Sequence, residues 1–135
     1  MQSPVLVARD EGDHFHFLNT VQTAKINSEQ SNGVLTAVEF FAPRNFGPPL
    51  HRHEDEDELF YILDGERWLS CGDVEAVHGE GAMAWLPRGL PHTFQVRSET
   101  ARVLTVTTPS GFERFIAALG QPTDAVHKAM VEPGP

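Results

Sequence analysis

The sequence contains a single cysteine, Cys71, and this scarcity removes one way of stabilising a small protein. One thiol cannot close an internal disulfide, so no oxidising compartment is implied and stability has to come from an apolar core. A chain of 135 residues is long enough to bury such a core. Cys71 follows the apolar residues Trp68 and Leu69, a setting typical of a half-buried structural thiol.

Positive charge is also scarce, because Lys and Arg number 10 against 19 Asp and Glu and leave a net charge of −9. Such a surface repels nucleic-acid phosphates and anionic membranes, so we expect neither as a partner. No apolar run approaches the length of a membrane span, and the N-terminus lacks the pattern of a signal peptide. We therefore expect a cytoplasmic protein with a small-molecule partner.

Helical periodicity is missing from most of the chain, which consists of short apolar runs separated by turn residues. The dipeptide Asp64-Gly65 between two such runs predicts a hairpin. Many short strands with frequent turn signals predict an all-β sandwich or barrel. The predicted strands are Phe15–Leu18, Val21–Ile26, Val34–Ala42, Glu58–Leu63, Arg67–Cys71, Val74–Val77, Ala82–Leu86, His92–Val96 and Arg102–Thr107.

One helix is predicted after the strands end, over about residues 110–119. Ser110 and Glu113 have the spacing of a capping box, and Gly120 ends the pattern. The apolar side chains between them recur at helical spacing and are expected to pack on the sheets. They are Phe112, Phe115, Ile116 and Leu119.

We expect a single domain over residues 1–135, with its strands spread over about 15–107. A weaker helical pattern covers residues 124–131. The final segment, 131–135, is expected to be a flexible tail because it contains two prolines and a glycine.

The residue types that can hold a metal ion concentrate between His51 and His92. His51 and His53 alternate, so on a strand they share one side. The acidic run 54–57 is expected to turn the chain, which allows Glu58 to begin a new strand and face the histidines. Three imidazoles and one carboxylate suit one divalent Fe, Ni, Mn, Cu or Zn per chain rather than Ca or Mg. The alternative is a pair of surface histidines in an acidic loop, because a lone His-x-His is a weak signal.

The spacing across this stretch resembles the two motifs of the cupin superfamily. The first reads His51-x-His53, four residues, Glu58, six residues, Gly65. The second reads Gly81, five residues, Pro87-x-Gly89, two residues, His92. Asn45 and Val96 depart from the pattern, because the family has glycine at the first of these positions and asparagine at the second. Neither position is a metal ligand in the family, so the departures affect loop geometry rather than the ligand set.

The resemblance is to small single-domain cupins of the quercetin dioxygenase-like kind. It implies a double-stranded β-helix, or jelly-roll, barrel followed by a short C-terminal helix. It also implies that His51, His53, Glu58 and His92 bind the metal. Single-domain cupins commonly pair, so we expect a homodimer.

Strand alternation extends the candidate site into a pocket. If Glu58 faces inward, so should Phe60 and Ile62, and if His92 faces inward, so should Phe94 and Val96. Thr36 and Val38 are expected to face the same interior from a neighbouring strand. Such an apolar lining favours a flat aromatic substrate over a sugar phosphate. The alternative is that these side chains only fill a small barrel.

Three functions compete for this site. The resemblance favours a metal-dependent dioxygenase of quercetinase type, an oxidoreductase that brings an enol substrate and O₂ together while Glu58 takes the substrate proton. A non-redox metalloenzyme, such as an isomerase, polyketide cyclase or lyase, would use the same ligands with the metal as a Lewis acid. The third possibility is a small-molecule binding barrel whose metal is structural.

Overall fold

The computed structural model describes residues 2–124, and within this range β-strands dominate. The alternation of apolar and polar residues between turn signals, visible in the sequence, accounts for this content. The elements are β1 (Asp13–Phe17), β2 (Thr20–Ile26), β3 (Thr36–Pro43), β4 (Asp57–Asp64), β5 (Glu66–Cys71), β6 (Val74–Gly79), β7 (Met83–Leu86), β8 (His92–Val96), β9 (Thr100–Thr108), α1 (Phe112–Leu119) and β10 (Gln121–Pro122).

The strands form two antiparallel sheets with the core between them. The larger sheet has the order β10-β1-β2-β3-β9-β4-β7, and the smaller one has the order β6-β5-β8. The buried apolar cluster draws side chains from both sheets, including Phe60 and Val103 from the larger and Leu69 and Phe94 from the smaller. This arrangement confirms the predicted all-β class with one short C-terminal helix.

Alternation sets which side chains of β4 and β8 face the core. Glu58, Phe60 and Ile62 are buried along β4, and the residues between them are more exposed. On β8 the buried residues begin with His92 and continue with Phe94. One face of each strand therefore begins with a candidate metal ligand and continues with apolar side chains.

The Asp64-Gly65 turn does not form the predicted hairpin. β4 pairs with β7 and β9, whereas β5 pairs with β6 and β8, so the turn is a corner between the two sheets. Gly65 has φ 89°, and a Cβ there would come within 2.4 Å of the Thr100 carbonyl oxygen. The dipeptide signals this tight positive-φ turn, which two strands need whether or not they pair with each other.

The helix α1 is present, but the predicted capping box is wrong. Its N-cap is Gly111, and no side chain caps it. The Glu113 carboxylate instead accepts hydrogen bonds from the Ser28 hydroxyl, at 2.6 Å, and from the Thr36 hydroxyl. A tertiary interaction has replaced the local one, and it ties α1 to the larger sheet. Within the described range no helix has the length and apolarity needed to cross a membrane.

The short strand β10 was not predicted, and it closes the chain back onto the N-terminal region. It pairs with β1 through Phe15 opposite Pro122 and His16 opposite Gln121. A proline at an edge gave no strand signal in the sequence. The predicted helical stretch at 124–131 and the predicted tail at 131–135 lie outside the described residues, apart from residue 124 itself.

Candidate metal centre and its cavity

Three histidines meet where the loop before β4 touches the start of β8. Reciprocal backbone hydrogen bonds join His51 to His92, with N–O distances of 3.1 and 2.7 Å. One ligand nitrogen from each of His51, His53 and His92 lies within 4.8 Å of the others. Metal–imidazole bonds are ~2.0–2.1 Å long, so ligand atoms around one ion stand roughly 3–4 Å apart. A small contraction of the cluster would therefore seat one ion.

Glu58 lies beside this cluster because the acidic run bends at residues 54–55 before β4 begins. Its Oε1 lies 3.2 Å from Nε2 of His92, and its Oε2 lies 3.8 Å from Nε2 of His53. The structure thus brings together all four residues predicted as metal ligands. His51 and His53 stand in a loop rather than on the strand expected for them, and a single bridge to His92 holds that loop in place.

Two buried atoms of the cluster lack hydrogen-bond partners among residues 2–124. They are Oε1 of Glu58 and Nε2 of His92, whose 3.2 Å approach lacks the alignment of a hydrogen bond. An unsatisfied buried polar atom costs roughly 1–3 kcal/mol. A divalent cation between them would satisfy both atoms, so the residues present fit a metal ion.

The hydrogen bonds of Nδ1 in His51 and His92 also favour metal binding by this cluster. Nδ1 of His51 lies 2.8 Å from the Pro49 carbonyl oxygen, and Nδ1 of His92 lies 3.3 Å from that of Leu90. A carbonyl oxygen only accepts, so Nδ1 carries the proton and Nε2 presents a lone pair. Burial lowers the pKa of His51, against the opposing effect of the Pro49 carbonyl, and so favours the neutral, metal-binding form.

The cluster opens into a cavity of about 460 Å³, a size suited to a small organic ligand. Four phenylalanine rings pack into an aromatic wall. The Phe94 ring lies 5.7 Å from that of Phe40, 6.0 Å from that of Phe46 and 5.9 Å from that of Phe60. The lining comprises Phe17, Leu18, Gln22, Phe40, Phe46, Gly47, Pro48, Pro49, His51, His53, Glu58, Phe60, His92, Phe94, Thr105, Phe112 and Phe115.

Of the six predicted pocket residues, Phe60 and Phe94 line the cavity, whereas Thr36, Val38, Ile62 and Val96 do not. Ile62 and Val96 are buried in the apolar core instead. Thr36 and Val38 are fully enclosed, and the Thr36 hydroxyl donates to Glu113 of α1. Alternation predicts which face a side chain takes, but not how far along the barrel the open space reaches.

The far part of the lining was missed by sequence reasoning. It comes from the β1–β2 hairpin, with Phe17 and Gln22, and from α1, with Phe112 and Phe115. The rings of Phe17 and Phe115 lie 6.1 Å apart. The helical stripe was visible in the sequence, but nothing local indicated that part of it borders a cavity rather than the core.

A buried arginine was also missed. The Arg67 side chain is fully enclosed, and its guanidinium carbon lies 3.9 Å from the centre of the Phe60 ring and 4.5 Å from that of Phe94. Its Nε donates to Nε2 of His78 at 3.2 Å. Burial lowers the pKa of Arg67 to about 9, although the charge of Glu58 acts in the opposite direction. The sequence did hold one signal, because Arg67 alternates with Leu69 and therefore shares the inward side of β5.

Comparison with known proteins agrees with the fold and the motifs. The cupin domain model matches residues 37–107, and the chain therefore belongs to the cupin family. Quercetin 2,3-dioxygenase of Bacillus subtilis (strain 168) is 26% identical over 121 residues. The match takes in 90% of this chain but 36% of that relative, so the chain spans about a third of the relative's length.

Solved structures of similar fold carry diverse names. The polyketide cyclase RemF from Streptomyces resistomycificus is 27% identical with a TM-score of 0.60, and the match covers 82% of this chain and 81% of RemF. KdgF from Halomonas sp. superposes with a TM-score of 0.71 at 16% identity, covering 82% of this chain and 99% of KdgF. The second likeness shows the fold alone.

Proposed function

We propose that this chain is a metal-dependent dioxygenase of quercetinase type that acts on a small aromatic or enol substrate. The observation that carries the proposal is a cluster of three histidines and Glu58 opening into a cavity walled by phenylalanine rings. The first feature suits a transition metal, and the second suits a flat apolar ligand. The likeness to quercetin 2,3-dioxygenase supports the same assignment.

The residues around the cavity have different roles in the proposed reaction. When bound, a redox-active metal ion would supply a site at which an enolate oxygen and O₂ are held together. Glu58 stands where it can take the enol proton, because it lines the cavity and its carboxylate faces the histidines. Phe60 and Phe94 give the substrate ring a flat surface and keep water from the reacting atoms.

The test is oxygen consumption by protein reconstituted in turn with Fe, Ni, Mn, Cu and Zn, with 3-hydroxyflavone as substrate. We expect oxygen uptake with one or more of the redox-active metals and none with Zn. Glu58→Gln should lower the rate by roughly 10²–10⁴-fold through loss of the base. Asp57→Asn is the matched control, because Asp57 precedes Glu58 but pairs with Arg88 outside the cluster. Absence of oxygen uptake with every metal would refute the proposal.

A non-redox reaction is the second candidate, and the similarity to the polyketide cyclase RemF favours it. The same cavity would then fold or dehydrate a polyketide-like aromatic precursor, with a Lewis-acidic ion polarising a carbonyl. Conversion of such a precursor under nitrogen by the Zn-loaded protein would support this candidate. Oxygen-dependent turnover would support the first.

A further inference from the structure

One neutral amide interrupts the apolar far part of the cavity. Apart from the four candidate metal ligands, the polar side chains in the described lining are Gln22 and Thr105. Thr105 stands on β9 between Val38 and Phe60, next to the strand that carries Glu58. Gln22 lies on β2 and is 7% exposed. Buried polar groups are normally hydrogen-bonded, and the cavity is the open space from which a ligand can reach the remaining atoms of this amide.

The orientation of the Gln22 amide is fixed by its neighbours. The Thr20 hydroxyl donates to the Phe17 carbonyl oxygen at 2.7 Å, and that oxygen can only accept. Thr20 Oγ1 has one hydrogen, so it must act as the acceptor toward Gln22, whose nearest atom at 3.0 Å is therefore Nε2. This bond uses one N–H of the amide and leaves the second N–H and Oε1 for a ligand.

The strand order places this amide far from the metal cluster. Two strands, β3 and β9, separate β2 from β4 in the larger sheet. Neighbouring strands lie ~4.8 Å apart, so Gln22 stands roughly 14 Å from the Glu58 strand along the curved sheet. Phenylalanine rings occupy the wall between the two positions. A ligand that contacts both the cluster and Gln22 has to pass these rings, which favours a ligand with more than one ring or an extended chain.

We propose that Gln22 is a specificity-determining residue that hydrogen-bonds a second oxygen function at the end of the substrate remote from the metal cluster. A hydroxyl group fits best, because it can accept from the free N–H and donate to Oε1. The substrate class is then a polycyclic aromatic enol with one oxygen function at each end. This inference rests on the proposed aromatic substrate, and it adds that Gln22 recognises the oxygen function at the end of the substrate remote from the metal cluster.

A purely structural role for Gln22 predicts a different outcome. In that case the amide would only support the β1–β2 hairpin through Thr20, and the ligand's distal substituent would not matter. The two roles separate when ligand and protein are changed together. A change in the ligand alone also tests the inference in the unaltered protein, so the result does not depend on a variant that folds.

The experiment measures the binding of 3-hydroxyflavone and 3,4′-dihydroxyflavone, which differ by one distal hydroxyl. Fluorescence titration under nitrogen, with the metal that the protein carries when isolated, reports binding without turnover. Variants are Gln22→Leu and the matched control Gln95→Leu, which makes the same change on β8 outside the cavity lining. Circular dichroism of each variant verifies the fold.

The wild type and Gln95→Leu should bind the dihydroxy compound about three- to tenfold more tightly, the value of one net hydrogen bond. Gln22→Leu should bind both compounds equally. Equal binding by the wild type, or a preference that survives in Gln22→Leu, would overturn the inference and leave the proposed function intact. Failure of the wild type to bind either compound would overturn both. A preference that depends on Gln22, without oxygen uptake, would sustain the inference and count against the dioxygenase.

Discussion

At one end of the cavity the lining comes from the candidate metal ligands, which lie between positions 51 and 92. At the other end it comes from two segments far apart in the sequence, 17–22 and 112–115. The metal end is built from one loop and the first inward residues of β4 and β8, joined by reciprocal backbone hydrogen bonds between His51 and His92. The far end is assembled from the β1–β2 hairpin, which pairs with β3 in the larger sheet, and from α1, which side-chain interactions such as Glu113 with Ser28 hold to that sheet. A backbone bridge therefore positions the histidines at the first end, whereas side-chain packing positions the part of the second end that α1 contributes.

This difference implies different tolerances to mutation. Removing one group from the metal end leaves other buried polar atoms without partners, so the loss is large and specific. Removing a ring from the far end exposes apolar surface that already borders solvent, so the fold should change little and ligand binding more. Four substitutions test this contrast, His92→Ala most strongly and His78→Gln least.

The largest effect is expected for His92→Ala. It removes the imidazole of a buried candidate ligand but keeps the backbone hydrogen bonds to His51, so metal affinity should fall by roughly a hundredfold or more, beyond the 10–100-fold typical of outer-shell changes. Competition with a chelator of known affinity measures the change. His16→Ala on β1 is the control, because His16 lies outside the cluster, and it should bind metal like the wild type. Equal affinities in all three proteins would contradict the assignment.

Truncating a ring of the aromatic wall that is buried in the core should lower the free energy of unfolding. Phe94 is buried and packs against the rings of Phe40 and Phe60, so Phe94→Ala should lower the free energy of unfolding by roughly 3–5 kcal/mol. Urea denaturation of the metal-free protein provides the measurement. The matched change Phe115→Ala, at a ring that is 52% exposed, should cost about 1 kcal/mol or less. Similar losses for both variants would erase the contrast between the two ends.

The same Phe115→Ala variant should show its effect in ligand binding. Phe115 borders the cavity beside Phe17, so its removal takes away part of the apolar contact for a flat ligand. We expect the affinity for 3-hydroxyflavone to fall by about three- to tenfold, corresponding to an aromatic contact of ~0.5–1.5 kcal/mol. Leu119→Ala is the control, because Leu119 ends the same helix without lining the cavity. Unchanged affinity in Phe115→Ala would mean that the ligand does not reach α1.

The smallest effect is expected in the pH dependence of stability, through His78, which accepts a hydrogen bond from the buried Arg67. Burial lowers the pKa of His78, and the charge of Arg67 lowers it further. The folded state therefore binds fewer protons than the unfolded state between the folded pKa and about 6.5, so stability should fall as pH falls through this window. His78→Gln keeps an acceptor for Arg67 but does not titrate, and it should reduce the slope of stability against pH in the metal-free protein. An unchanged slope would show that His78 does not contribute to the pH dependence of stability. His16→Gln is the control variant.

The sequence predicted which four residues meet at the candidate metal site, because their spacing follows a motif. His51, His53, Glu58 and His92 stand at motif spacings, and alternation along β4 and β8 then places Phe60 and Phe94. Alternation says nothing of depth, so it also added Ile62 and Val96, which the core encloses.

The far end depends on which distant segments meet, and local patterns do not carry that information. Gln22 and Phe115 lie in segments that meet only through tertiary packing. Glu113 shows the same limit, because its spacing from Ser110 predicted a cap, whereas its carboxylate bonds to Ser28 and Thr36. Asp64-Gly65 predicted a turn correctly, but the partners of the strands on either side depend on the whole sheet.

Anomalous X-ray diffraction from crystals of protein purified without chelator or a histidine tag would show whether the four candidate ligands hold a metal ion. We expect one anomalous peak about 2.0–2.2 Å from the imidazole nitrogens of His51, His53 and His92, with a Glu58 oxygen at a similar distance. An anomalous peak bound only elsewhere, or none at the cluster after soaking with Fe, Ni, Mn, Cu and Zn, would contradict it.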